Sequence, residues 1–224
     1  MATADDGAER KSKAASPVLI TDENERAKRE ADNGLRQASE VLAMIEHYRD
    51  TKRPFKLRPS MIVGLQRIAL EGISAFAGLT RPADVEIGGS KHEPPGAHLV
   101  PELLEQLCDY VNENWTTPAL HLSAYVMWRL NWIHPFVDGN GRTSRAVSYL
   151  VLCIRLGYPL PGTSTIPEQI AANKQPYYDE LEAADDALQK TGKIDVTGLE
   201  GLLERYLSAQ LVGVLEQATG GQLQ

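Results

Sequence analysis

The chain has 224 residues, 42% of them hydrophobic and 24% charged, an ordinary composition for a globular protein with one substantial domain. It contains no run of about 18 apolar residues, which excludes a membrane-spanning helix. Its net charge of −7 disfavours general binding to nucleic-acid phosphates.

Residues 1–16 are rich in Ala, Lys and acids with no apolar stretch, which excludes a secretory signal and predicts a disordered lead. A single domain is expected over 17–217 and a flexible tail over 218–224. The expected location is cytoplasmic, with Cys108 and Cys153 as buried thiols inside apolar helical patterns. Most of the chain has a helical period, so the fold class expected is all-α. The first helix runs from Asp22 to about Arg49, with Leu35, Ala38, Leu42 and Ile45 on one face and an N-cap at Thr21. A second opens at Pro59 and carries Ile62, Leu65, Ile68, Ala69, Ile73 and Phe76 before Gly78. Arg81 to His98 breaks the rhythm. Val85-Glu86-Ile87-Gly88-Gly89-Ser90 reads as an extended piece and a turn, and Pro94-Pro95 blocks helix, which predicts a hairpin-like flap. Helix resumes at Pro101 with Leu103, Leu104, Leu107, Cys108 and Val111 on its face.

Ala119 to Trp132 and Ala146 to Leu156 are apolar nearly all round, the mark of core helices. Between them lies a polar segment, His134-Pro135-Phe136-Val137-Asp138-Gly139-Asn140-Gly141-Arg142-Thr143-Ser144-Arg145. Two further helices are expected, Pro167 to Leu188 and Val196 to Gln217. No His-x-x-x-His pair exists among the five histidines, which sets a transition-metal hydrolase aside.

The polar segment suits phosphate chemistry, which consists mainly of positioning and charge neutralisation. His134 is the side chain able to take a proton near neutral pH. Asp138 offers a hard carboxylate for Mg²⁺. Gly139 and Gly141 let backbone N–H groups approach an anion, and the helix that follows points its positive end at the same place. Arg142 and Arg145, three residues apart, both reach a polyphosphate from that first turn. Arginines there oppose the helix dipole, which favours acids, so an anion is expected between them. A plain turn between two helices, with solvated arginines, is the competing reading of the same residues.

His134 to Arg142 resembles the signature of the Fic (Fido) family, His-Pro-Phe-x-(Asp/Glu)-Gly-Asn-Gly-Arg, with every fixed position filled. Ile87-Gly88-Gly89-Ser90-x-His92-x-Pro94-Pro95 is similar to the family's flap, and Asn173-x-x-x-Tyr177-Tyr178 to a segment that follows the motif. The resemblance spans about Asp22 to Leu215 and implies a compact helical Fic-type domain with a short β-hairpin flap and no large extra module. It implies a protein adenylyltransferase that moves AMP from ATP to a Ser, Thr or Tyr hydroxyl of a protein substrate. In that reading His134 is the general base and Asp138 holds Mg²⁺. Asn140 and the amides of Gly139 to Gly141 form the anion hole, Arg142 grips the β-phosphate and Arg145 meets the γ-phosphate. Asn173 and Tyr178 are expected beside the adenine, although helix core is the competing reading for each of Tyr177 and Tyr178. Ile87, Gly88, Gly89 and Ser90 are expected to dock the target by strand addition.

Many relatives carry an inhibitory helix of pattern (Ser/Thr)-x-x-x-Glu-(Gly/Asn). Thr21-Asp22-Glu23-Asn24-Glu25-Arg26 fits it in five positions but departs at Arg26, which makes Glu25 the candidate partner of Arg145. Two alternatives stay open at this point: a Fic-type enzyme that uses another phosphate-containing donor or removes AMP, and a non-catalytic binding module. No membrane or nucleic-acid partner is expected, and a homodimer is left open.

Overall fold

In this computed structural model the described residues are 12–13, 19–51 and 53–219. Apart from Ser12 and Lys13, the expected disordered lead therefore lies outside them, as do residues 220–224 of the expected tail. The architecture is all-α, as predicted. Its elements are β1 (Ser12–Lys13), α1 (Glu23–Thr51), α2 (Pro59–Leu70), β2 (Glu86–Ile87), a 3-10 turn (Ala97–Leu99), α3 (Val100–Glu113), α4 (Ala119–Ile133), α5 (Asn140–Leu156), α6 (Ile166–Ala172), α7 (Gln175–Thr191) and α8 (Thr197–Ala218).

The apolar helices α4 and α5 form the central pair. Leu122, Val126, Met127 and Trp128 of α4 and Val147, Leu150, Val151 and Leu152 of α5 are all buried. Ser123 and Ser148 face each other at that contact, with hydroxyls 2.7 Å apart. Ser148 also donates to the Ser123 carbonyl at 2.9 Å. Small hydroxyls let the helices approach closely while both serine oxygens keep a partner. Helices α1 and α2 pack on α5, and α3, α7 and α8 on α4, so the loop between α4 and α5 is set on the most constrained part of the molecule. Cys108 and Cys153 are free and buried, as expected, and burial pushes their thiols up, to about 12 and about 11.

The phase of α1 differs from the predicted one. Its buried face is Asn33, Gln37, Val41 and Ile45, whereas Leu35 and Leu42 are exposed. The reason lies in α2. Asn33 Nδ2 donates to the carbonyls of Ala69 at 3.3 Å and Glu71 at 2.8 Å, and Gln37 Nε2 to that of Leu65 at 2.9 Å. Ala69 and Glu71 lie at the end of α2, where carbonyls lack helical partners, so an amide at position 33 is worth more there than a leucine. The cap also sits one residue later than expected: Asp22 Oδ1 accepts from the Glu25 N–H at 2.8 Å.

The helix predicted over Pro167 to Leu188 is two helices. Thr165 opens α6 with a capping box to Glu168, and Asn173 closes it in an extended conformation. Pro176 has no N–H to continue the ladder and crowds the carbonyl four residues back, so a new helix starts around it. In the flap, Gly89 turns at φ 73° and β2 pairs antiparallel with β1, Ser12 opposite Ile87 and Lys13 opposite Glu86. The partner strand comes from the start of the chain.

Because buried Asn33 serves two carbonyls at the end of α2, Asn33→Leu is expected to destabilise the fold by about 1–3 kcal/mol, although it completes an apolar helix face. Urea denaturation of the two proteins measures the difference; equal midpoints would contradict this account of α1.

Candidate active site

At the end of α4 the chain leaves the helix through His134, whose φ of 50° is the one positive value outside glycine among the described residues. A left-handed conformation costs a non-glycine residue about 1–2 kcal/mol, so something has to hold it. Arg81, 2% exposed, does so. Its Nε donates to the His134 carbonyl at 2.8 Å and its backbone N–H to the Pro135 carbonyl at 2.8 Å. The same guanidinium donates to the carbonyls of Ala83 and Pro95, which ties the flap to the loop. The Phe136 ring is fully buried, anchoring the loop in the core.

The loop closes on itself through Asn140. The Phe136 N–H donates to Asn140 Oδ1 at 3.0 Å, and Asn140 Nδ2 donates back to the Phe136 carbonyl at 2.8 Å. Asn140 was expected in the anion hole with the amides of Gly139 to Gly141; its side-chain amide is committed to the loop, which leaves its backbone N–H for that place. Gln66 of α2 makes the next tie: its Nε2 donates to the Asp138 carbonyl at 3.1 Å while its Oε1 accepts from Gly78 at 2.6 Å. Gly139 then starts α5 at φ 80°, and a Cβ there would lie 2.5 Å from Leu70 Cδ2, so only glycine fits.

His134, Asp138, Gly139, Asn140, Gly141, Arg142 and Arg145 line one cleft, together with Ile87, Ser90 and Tyr178. Sequence reasoning placed all ten at the site. Trp128, Asn131, Trp132, Leu181, His92 and Asp185 complete its walls. Arg145 is 8% exposed and makes no ion pair with any described residue. Gly141 leaves space for it, since a Cβ there would come 3.2 Å from Arg145 Nη1. Tyr177 forms part of the floor: its hydroxyl accepts from Asn131 Nδ2 at 2.7 Å and lies 3.3 Å from Ser144 Oγ, and burial pushes its pKa up.

Other expectations fall outside the cleft. Asn173 is exposed at the end of α6, because that helix stops short and turns away. Gly88 and Gly89 do not line the cleft and shape the flap's turn instead. Glu25 is exposed in the first turn of α1, beside Lys28, Arg29 and Asp32, and does not meet Arg145. The helical face of α1 that reaches the motif carries Arg26 and Glu30, one position further round.

Asp138 uses Oδ1 to accept from the Gly139 N–H at 2.6 Å, which turns Oδ2 outward. Among the described residues no group of three His, Cys, Asp or Glu side chains could hold a metal ion alone. One outward carboxylate oxygen beside an anion site fits Mg²⁺, which commonly takes its remaining ligands from phosphates and water.

Several of the residues that build the site gave no motif. Gln66 is a polar interruption in the apolar stripe of α2, a signal that was readable. Arg81 sits in an irregular stretch with no period to betray its burial.

The sequence model of the Fic/DOC family matches residues 56–152. A protein adenylyltransferase Fic from Drosophila willistoni is 36% identical over 109 residues, 47% of this chain and 20% of that protein. The chain thus matches about a fifth of the length of such relatives. Among similar solved structures is a Fic-domain-containing signaling protein from Bacteroides thetaiotaomicron, with a TM-score of 0.66 at 22% identity, covering 86% of this chain and 74% of that one. Another is the BepC protein with bound AMPPNP from Bartonella tribocorum, with a TM-score of 0.56 at 16% identity, covering 84% and 88%. The motif lies inside the region that matches the Fic/DOC family model, and the fold is similar to that of Fic-domain structures.

Burial pushes the His134 imidazole down from 6.5 to about 3, helped by the charges of His92 and Arg81 and opposed by a hydrogen bond to the Asn131 backbone. The folded value lies below the unfolded one, so as pH falls from 6.5 towards 3 the unfolded chain takes up this proton first and stability is lost. The loss from this group cannot exceed about 1.4 kcal/mol per pH unit. We therefore expect His134→Gln to lose less stability than the wild type between neutral pH and pH ~4.5, a point inside that window. Denaturant titrations at both values check it, and parallel losses would contradict the assignment.

Proposed function

We propose that this chain is a protein adenylyltransferase that transfers AMP from ATP to a hydroxyl side chain of a protein substrate. The observation that carries the reading is Arg145. It is nearly buried, lines the cleft at the start of α5 and has no carboxylate partner among the described residues. A guanidinium does not escape burial by losing its proton, so it needs an anion to face. The N–H groups at the start of α5 and Arg142 face the same space, and a polyphosphate supplies the several negative charges that such a set can hold.

The base has to be neutral to work, and burial keeps the His134 imidazole neutral at physiological pH. Triphosphate charge bound nearby raises its proton affinity at the moment of use. The substrate hydroxyl gives its proton to that imidazole as its oxygen attacks the α-phosphorus. The bond from the α-phosphorus to the bridging oxygen breaks, and pyrophosphate leaves with that electron pair. Arg142 and Arg145 hold the departing phosphates, and the α5 amides stabilise the charge on the transferred group. A divalent cation on Asp138 Oδ2 would neutralise phosphate oxygens there. The aromatic wall of Trp132 and Tyr178 offers apolar surface to the base. Ile87 and Ser90 put the flap at the cleft mouth, where an extended target segment could dock along β2. The similarity to an adenylyltransferase from Drosophila willistoni and to a fold neighbour with bound AMPPNP supports this choice of reaction.

Incubating the protein in a cell lysate with ATP labelled on the α-phosphate is expected to label protein bands. His134→Ala should lower that labelling by at least about 100-fold while keeping nucleotide affinity within about twofold. Arg145→Leu should weaken nucleotide binding by about tenfold or more. Label carried from the γ-phosphate instead would replace adenylyl transfer by phosphorylation, and labelling undiminished in His134→Ala would remove this mechanism.

A further inference from the structure

Helix α1 meets the motif through two charged side chains, Arg26, where the chain departs from the expected inhibitory pattern, and Glu30, which lies beyond it. Arg26 Nε donates to Glu30 Oε1 at 3.1 Å. Arg26 Nη2 lies 3.8 Å from Asp138 Oδ2, and Arg142 Nη2 lies 3.7 Å from that same oxygen. Arg142 Nη1 completes the circuit at 4.0 Å from Glu30 Oε1. Four charges of alternating sign thus close into a ring, two from α1 and two from the loop and start of α5.

The ring falls on the atoms that nucleotide and cation would need. Asp138 Oδ1 is taken by the Gly139 N–H, so Oδ2 is the oxygen turned outward to a cation, and the Arg26 guanidinium leans on it. Arg142 is the first motif arginine, and the Glu30 carboxylate leans on that. We propose that Arg26 and Glu30 are a built-in stand-in for the ligand pair, Arg26 in place of a divalent cation at Asp138 and Glu30 in place of a phosphate at Arg142. The adenylyl-transfer reading supplies the identity of those two ligands; the ring itself is independent of it.

The distances fit a displaceable contact. The one short bond of the ring lies within α1, between Arg26 and Glu30. The contacts across to the motif are 3.7–4.0 Å long in side chains about one quarter to one third exposed, where an ion pair holds weakly. Arg26 and Glu30 can therefore stay paired with each other while the motif side exchanges them for ligand. Asp138 and Arg142 remain charge-matched without nucleotide, and Asp138 presents little free negative potential to a cation arriving alone.

Opposite charges on one stand-in pair give opposite signatures. Let the magnesium gain be the affinity for a non-hydrolysable ATP analogue in excess magnesium divided by that in EDTA, each measured by calorimetry. Arg26→Gln removes the competitor of the cation and leaves Glu30 to hold Arg142. Its magnesium gain is expected to rise about three- to fivefold, the scale of a partly exposed ion pair. Glu30→Gln releases Arg142 and Arg26 to the phosphates. It is expected to bind the analogue about three- to fivefold more tightly in EDTA, and its magnesium gain to fall. Arg26→Met, which keeps the apolar stem, should behave as Arg26→Gln does, and thermal melting checks that each variant is folded. Shifts of the gain in the same direction in both variants, or no shift beyond twofold in either, would overturn the proposal while leaving the functional reading intact. A wild-type protein that binds no analogue in either buffer would instead sink the functional reading, and the stand-in with it.

Discussion

Two hydrogen bonds between Asn140 and the backbone of Phe136 set the geometry on which the site depends. They fold the chain between α4 and α5 into a closed turn, so that the helix leaving it begins where the helix entering it ends. Everything else on the loop is positioned relative to that clasp. Arg81 fixes the carbonyls on the His134 side and Gln66 the carbonyl on the Asp138 side. The imidazole, the carboxylate and the start of α5 are held by backbone ties from Asn140, Arg81 and Gln66, which limits drift between the groups that the proposed reaction brings to one phosphate.

The electrostatics of the cleft run against the stability of the empty fold. An arginine nearly buried in the second turn of α5 has lost most of its water, and burial holds a histidine neutral. Each is a cost that a purely structural loop would have shed by substitution. They occur together around one space, and a single polyanion relieves the arginine and makes use of the neutral imidazole. Local violations that share one remedy are stronger grounds for a ligand than any of them alone.

Much of this was legible in the sequence because the motif is contiguous. Apolar periodicity marked α3, α4, α5 and α8, and the residues between α4 and α5 carried their chemistry in plain order. What escaped was tertiary. The face of α1 was misjudged because Asn33 and Gln37 are buried for the carbonyls of α2 that they serve, and no property of α1 alone announces those carbonyls. Glu25 matched an inhibitory pattern by spacing, yet a helix turns about 100° per residue. Arg26 and Glu30, four apart on one face, are the residues that the rotation delivers. The partner of β2 was equally unreadable, because a strand two residues long has no period.

That pairing bears on how a protein substrate would reach the cleft. A strand has two edges, and β2 already gives one of them to β1 across Ser12 and Lys13. Ile87, which faces Ser12 in the register, is also part of the cleft lining, so the edge nearest the chemistry is under the influence of the chain's own start. A target segment adding to the flap has to use the remaining edge or take the place of β1. Two residue pairs of antiparallel ladder are too few to be stable without packing, so exchange of that strand costs little. If the flap docks a target as the proposed reaction requires, it serves as a short template tied at its base by Arg81, and selectivity would have to come from side-chain contacts around Ile87 and Ser90, because the main-chain bonds are common to any extended segment.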